Sequence, residues 1–400
     1  MTFRRTVLGI AATIGALVLA GCAPQSVRDA SASPSDSRTM SPTATPSPTP
    51  TLSCAARIVD GLTPDEQAGQ LIIVGLGDNE DPTLLDDAIT RYHLAGVVLL
   101  GGWDGGMSVA RTASTHLQSL AGPATGGLGL LIAADQEGGD VQQLRGEGFT
   151  AIPSAVQQGA LDPATLAAQA TVWAAELRAA GINLNLAPVA DTVPADLGRG
   201  NPPIGGLNRQ FSSDPTAVAS HVVAVVDAMA AAGVGTTIKH FPGLGRVTGN
   251  TDFTASGTAD DVTTSTDAYL QPFAAGIAAG VPAVMISSAI YTQIDPTTEA
   301  VFSAAVITSL LRGQVGFDGV VISDDIGVAA SVASTPVTDR ATAFVGAGGD
   351  LALTADPAAV GPFHDSLVAA MADPAFAAKV TDAATRVVQL KVDLGLATCG

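Results

Sequence analysis

The chain is 400 residues long, 47% hydrophobic and only 14% charged, with 37 acidic side chains against 18 Lys and Arg for a net charge of −19. Only three of its cations are Lys, and so acidic a chain repels phosphate backbones, which excludes nucleic acid as a partner. The five His (His93, His116, His221, His240 and His364) and three Cys are scattered without metal-ligand spacing, so no metal is expected.

At the N-terminus Arg4 and Arg5 precede an apolar run from Val7 to Ala20, which is too short to span a bilayer comfortably and reads as a signal peptide. Leu19-Ala20-Gly21-Cys22 resembles the bacterial lipobox, which implies cleavage before Cys22, lipid on its thiol, and attachment to the outer face of the cell membrane through that lipid only. The competing reading of residues 1–22 is an ordinary signal peptide with an incidental Cys. Residues 23–53 are almost all Ser, Thr, Pro, Ala and Asp, so they cannot bury a core and are expected to form an extended, disordered tether. The folded unit is expected to span residues 54–400. With Cys22 lipidated, Cys54 and Cys399 are the remaining thiols, one at each end of that unit, and export permits a disulfide between them. Two free buried thiols are the alternative.

Beyond Cys54, short apolar runs alternate with helix-length amphipathic segments. The runs are Leu71 to Leu76, Gly96 to Leu100, Leu130 to Ala134, Ile182 to Ala187, Gly235 to Lys239, Ala283 to Ser287, Gly319 to Ser323 and Asp350 to Leu353. Eight of them imply a parallel sheet covered on both faces, and the count at this length favours an α/β fold closed as a single (β/α)8 barrel. No Gly-x-Gly-x-x-Gly lies between a strand and a helix, so no dinucleotide site is expected, nor any other cofactor. Polar residues gather where runs end: Asp135, Asp191, Lys239-His240, Ser287-Ser288 and Ser323-Asp324-Asp325. In a barrel these positions converge on the C-terminal rim, where barrel enzymes keep their chemistry.

Six segments together resemble family 3 glycoside hydrolases, and closely the bacterial β-N-acetylglucosaminidases among them. They are Asp135-Gln136-Glu137-Gly138-Gly139, Ala187-Pro188-Val189-Ala190-Asp191, Asn208-Arg209-Gln210-Phe211-Ser212, Lys239-His240-Phe241-Pro242-Gly243, Ala283-Val284-Met285 and Gly319 through Asp325, in the family's order. The resemblance implies that Asp324 is the nucleophile, a carboxylate that attacks the anomeric carbon and is then released with net retention. It also implies that Asp135, Arg209, Lys239 and His240 hold the sugar, Asp135 accepting from hydroxyls and the cations donating. Read alone, Lys239 could be a surface charge and His240 a satisfied core histidine. Asp324 could equally be a helix N-cap, a role that Asp325 could take instead. Glu137 reads as a brace for the loop after the third strand.

The loop after Lys239-His240 departs from the family pattern. Where the acetylglucosaminidases carry an Asp-x-His dyad as general acid/base, this chain has Asn250-Thr251-Asp252, and Leu244 stands in place of a common His. Three readings compete. Asp252 is itself the acid/base, its carboxyl protonated by burial or by the charge of Asp324; another residue of this Gly-rich loop serves; or the site has lost its acid. Gln143 replaces a common substrate-binding Arg, with Arg145 two residues on as the candidate replacement. The expected activity is that of a monomeric, retaining exo-β-N-acetylglucosaminidase acting on β-linked N-acetylglucosamine in cell-wall (peptidoglycan) fragments outside the membrane. The lack of a following αβ sandwich domain leans the same way. The alternatives are a β-glucosidase or β-xylosidase of the same family and a catalytically impaired, sugar-binding lipoprotein.

Overall fold

A strand covered on both faces must carry apolar side chains at successive positions, and the eight runs fold accordingly. In the computed structural model, which describes residues 53–399, they are β1 (Ile72–Leu76), β2 (Gly96–Leu99), β3 (Leu131–Ala134), β4 (Leu184–Asn185), β5 (Gly235–Phe241), β6 (Ala283–Ile286), β7 (Val320–Asp325) and β8 (Leu351–Thr354). Each pairs in parallel with its neighbours in sequence and β8 closes on β1, so the fold is the expected barrel. The expected signal peptide, Cys22 and the expected tether through residue 52 lie outside the described residues.

Period-two alternation divides each strand between two cores. Ile73, Val98, Leu131, Ala133, Met285, Ile322 and Leu353 pack together and fill the barrel. Their neighbours Ile72, Val74, Val97, Leu99, Ile132, Val284 and Val321 belong to the larger core beneath the surrounding helices. Several helices begin where Asp precedes Pro: Asp162, Asp214 and Asp373 accept backbone N–H groups at the starts of Pro163–Ala179, Pro215–Ala231 and Pro374–Asp393. The carboxylate satisfies an otherwise unpaired donor, and Pro at the first helical position has no N–H to satisfy. At the rim opposite the strands' C-terminal ends, fully buried Asp350 accepts from Arg312 at 2.6 Å, Arg386 at 2.8 Å and the N–H of Val321 at 2.7 Å.

The described residues begin one position before the expected start of the folded unit. Ser53, assigned to the tether, caps the helix Cys54–Asp60 by accepting from the N–H of Ala56. That helix packs against Pro374–Asp393, and Cys54 and Cys399 form the expected disulfide, closing 345 residues of sequence with their Cα atoms 5.6 Å apart.

Candidate active site

Two strands run further than their apolar patterns, and this delivers the functional groups. β5 continues through Lys239 and His240 to Phe241, and β7 through Asp324 to Asp325, each with a register shift against its neighbour at that point. His240, Asp324 and Asp325, expected just after the strands, are therefore among their last residues, and Lys239, His240 and Asp324 fall within the register shifts. They open onto a cavity of about 310 Å³ at the C-terminal rim, bounded by Asp135, Arg209, Lys239, His240, Asp252 and Asp324.

One wall is an ion cluster. Glu137, on the hairpin Gln136–Gly138/Val141–Gln142, accepts a two-pronged pair of bonds from Arg209, each 2.8 Å, and lies 2.7 Å from Lys239 Nζ. Lys239 also pairs with Asp135 at the end of β3. Burial alone would raise Glu137, but Arg209 and Lys239 outweigh it and hold the carboxyl at about 2. Lys239 is raised likewise, because Asp135 and Glu137 overcome the burial that would neutralise it. Asp135, half-buried, faces the cavity, whereas Glu137 is enclosed between the two cations, so its role is wider than bracing a loop.

Asp191 is fully buried and serves the next strand. It accepts from His240 Nδ1 at 2.7 Å, from the His240 N–H and from the Leu244 N–H at 2.7 Å. The first contact fixes the imidazole with its Nδ1–H toward Asp191 and its Nε2 toward Arg209, 3.5 Å away. The chain then passes close to Thr192: a Cβ on Gly245 would collide with the Thr192 carbonyl, so only glycine fits. Buried Asn201 donates to the carbonyls of Leu244 and Val247 at 2.7 and 2.8 Å, and Tyr291 donates to the Gly243 carbonyl at 3.0 Å. Neither Asn201 nor Tyr291 carries a signal in the sequence, since the loop carbonyls they hold lie more than 40 positions away. Ser287 bonds Tyr291 and Ser288 is buried, so this pair supports the loop and does not bound the cavity.

Asp324 is half-buried. Burial pushes its carboxyl up to about 6; nearby His240 and Lys239 pull it down, and the Asp252 carboxylate adds to the rise. Its Oδ1 accepts from the N–H of Asp325, while Asp325 accepts from Gly327 and Val328 and so closes the turn after β7; the next helix, Ala330–Val332, has no side-chain cap, so neither Asp is a helix N-cap. Asp252 reaches the same cavity on a loop whose Asn250 side chain accepts the Asp252 N–H at 3.0 Å. The carbonyls of Thr251 and Asp252 accept from Ser331 and Ala330, binding this loop to the segment that follows β7. Asp252 is exposed, so the burial expected of it is not met.

Arg145 is the other correction. It is exposed, its guanidinium donates to the carbonyls of Gln142 at 2.7 Å, Gly139 at 3.2 Å and Asp140 at 3.3 Å, and it does not bound the cavity. It ties the ends of the hairpin, while Gln143 accepts from the N–H of Gly102.

The glycosyl hydrolase family 3 N-terminal domain matches residues 63–390. A β-hexosaminidase of Xanthomonas campestris pv. campestris (strain B100) is 40% identical over 296 residues, covering 72% of this chain and 85% of the relative. The crystal structure of a β-N-acetylhexosaminidase from Beutenbergia cavernae DSM 12333 is 50% identical, with a TM-score of 0.80 over 83% of this chain and 99% of that one. A glycoside hydrolase family 3 β-N-acetylglucosaminidase from Paenibacillus sp. str. FPU-7 is 30% identical, with a TM-score of 0.75 over 85% of this chain and 64% of the other.

Proposed function

This chain belongs to glycosyl hydrolase family 3 and is a β-hexosaminidase-type glycoside hydrolase, and from that premise we propose that it removes terminal β-linked N-acetylglucosamine from peptidoglycan fragments with retention of configuration. The observation that carries this reading is the pair of carboxylates on one small cavity, Asp324 fixed in β7 and Asp252 on the loop bound to the segment beyond it. Asp324 attacks the anomeric carbon as Asp252 protonates the departing oxygen; Asp252 then takes a proton from water, which releases the sugar from Asp324. Asp135, Lys239, His240 and Arg209 supply the acceptors and donors that a hydroxyl-rich ring requires.

Asp252→Ala tests the acid/base assignment. Its rate on natural disaccharides should fall by about 10²–10⁴-fold, while activated aryl glycosides, which depart with little protonation, should lose far less. Added azide should restore turnover by attacking the glycosyl intermediate without base assistance. Equal slowing of both substrates with no azide rescue moves the role to another residue of the loop. The exposure of Asp252 also favours a second reading, a lipoprotein that captures wall sugars, and calorimetric binding by the wild-type protein without release of sugar would establish it instead.

The N-terminal sequence extends the proposal to the outer face of the cell membrane, with Cys22 lipidated and residues 23–53 as the tether. In Cys22→Ser the protein should leave the membrane fraction, or remain there only as uncleaved precursor. A processed Cys22→Ser protein that still sediments with membranes rules out this anchor.

A further inference from the structure

We propose that Phe253 is the platform on which the sugar ring on the reducing side of the scissile bond stacks, so that specificity is set for a second pyranose and not for the first alone. This rests on the reading of Asp324 and Asp252 as the glycosidase pair. At about 310 Å³ the cavity lies at the small end of ligand pockets, the size for a single sugar unit. Whatever follows the cleaved bond therefore lies outside it, over the mouth.

The residue at that mouth is aromatic. Phe253 bounds the cavity yet is 82% exposed, the most exposed of the large hydrophobic side chains among the described residues and the only aromatic in that group. Nothing in the fold buries it, in a chain where Phe, Tyr and Trp together make up 4% of residues. A β-linked pyranose with equatorial substituents presents axial C–H bonds on both faces, an apolar and weakly positive surface that suits the negative face of an aromatic ring.

Its position is fixed as well as exposed. The N–H of Phe253 donates to the Asn250 carbonyl at 3.1 Å, and the two carbonyls preceding it are held at 3.0 and 3.1 Å by Ser331 and Ala330, beyond β7. The platform is thus tied to the segment that follows the strand carrying Asp324. It is adjacent in sequence to Asp252, so a ring stacked on Phe253 would present its linking oxygen to that carboxyl. One loop would then both hold the leaving sugar and protonate it.

The test compares two substrates with the same first sugar, the β-1,4-linked N-acetylglucosamine disaccharide and N-acetylglucosaminyl β-fluoride, whose leaving group has no ring. The ratio of their kcat/KM values should fall about tenfold in Phe253→Ala, mainly through KM for the disaccharide, and recover in Phe253→Tyr. Val172→Ala, an exposed position on the helix Pro163–Ala179, should leave the ratio unchanged. An unchanged ratio in Phe253→Ala overturns the platform, as does a wild-type enzyme that cleaves the fluoride but not the disaccharide. A wild-type protein inactive on both overturns the glycosidase reading itself.

Discussion

Asp324→Asn is expected to abolish turnover, lowering kcat by at least about 10⁴-fold, and at the same time to make the protein more stable at neutral pH. The first effect follows because the amide cannot attack the anomeric carbon. A 2-fluoro glycosyl trap should label Asp324 in the wild type, and labelling of Asp325 or Glu137 instead would reject the assignment. The second follows from the position of the carboxyl, whose folded value of about 6 stands above the ordinary 3.8 because burial disfavours its charge. A raised carboxyl weakens the fold where it is ionised. The penalty is absent below pH about 4, grows between 4 and 6, and is complete above 6. Two units correspond to about 2–3 kcal/mol, and because Asp324 is only half-buried, about 1–2 kcal/mol is the reasonable expectation for Asn over Asp at pH 7. Urea denaturation of both proteins at pH 4 and pH 7 should show the difference opening with pH. The same group sets the acid limb of activity: attack needs the carboxylate, so kcat/KM should fall tenfold per unit as pH drops below about 6.

The barrel was legible because its physics is local and repetitive. Strands enclosed on both faces leave unbroken apolar runs, and all eight were found near their final bounds. The weakest match is β4, read as Ile182 to Ala187 but paired only at Leu184 and Asn185. Asn185 spends its side-chain oxygen on the N–H of Gln136, beyond the end of β3, while Leu186 still donates to the Ala134 carbonyl and Ala187 accepts from Thr237. The site was legible where a motif fixed it to a strand end, as with Asp135, Lys239, His240 and Asp324. It was not legible where distance in sequence hides the partner. Arg145 stood near the expected position, but its bonds go to its own hairpin. The exposure of Asp252 and Phe253 depends on the fold of a loop held by Ser331 and Ala330, about 80 positions away.

Glu137 shows how such a hidden partner can matter as much as a reacting group. Among the described residues its carboxylate is the only anion paired with both Arg209 and Lys239, and all three side chains are largely out of water. Removing Glu137 leaves buried Arg209 without its carboxylate and Lys239 with Asp135 alone, and breaking a buried ion pair costs about 3–5 kcal/mol. Glu137→Leu should therefore destabilise the protein by that amount in urea at pH 7. Glu137→Gln, which keeps a hydrogen-bonding oxygen but not the charge, should lose less. The sign of the pH dependence separates charge from packing. A carboxyl held at about 2, below the ordinary 4.5, adds stability that is fully present above 4.5 and is lost as pH falls toward 2. The gap between wild type and Glu137→Gln should then be constant from pH 7 to 5 and narrow steadily below it. A gap that stays constant down to pH 3 would mean that shape, and not charge, is what Glu137 contributes. Activity should fall in both variants, because Arg209 and Lys239 would repel one another across the wall that Glu137 now holds together.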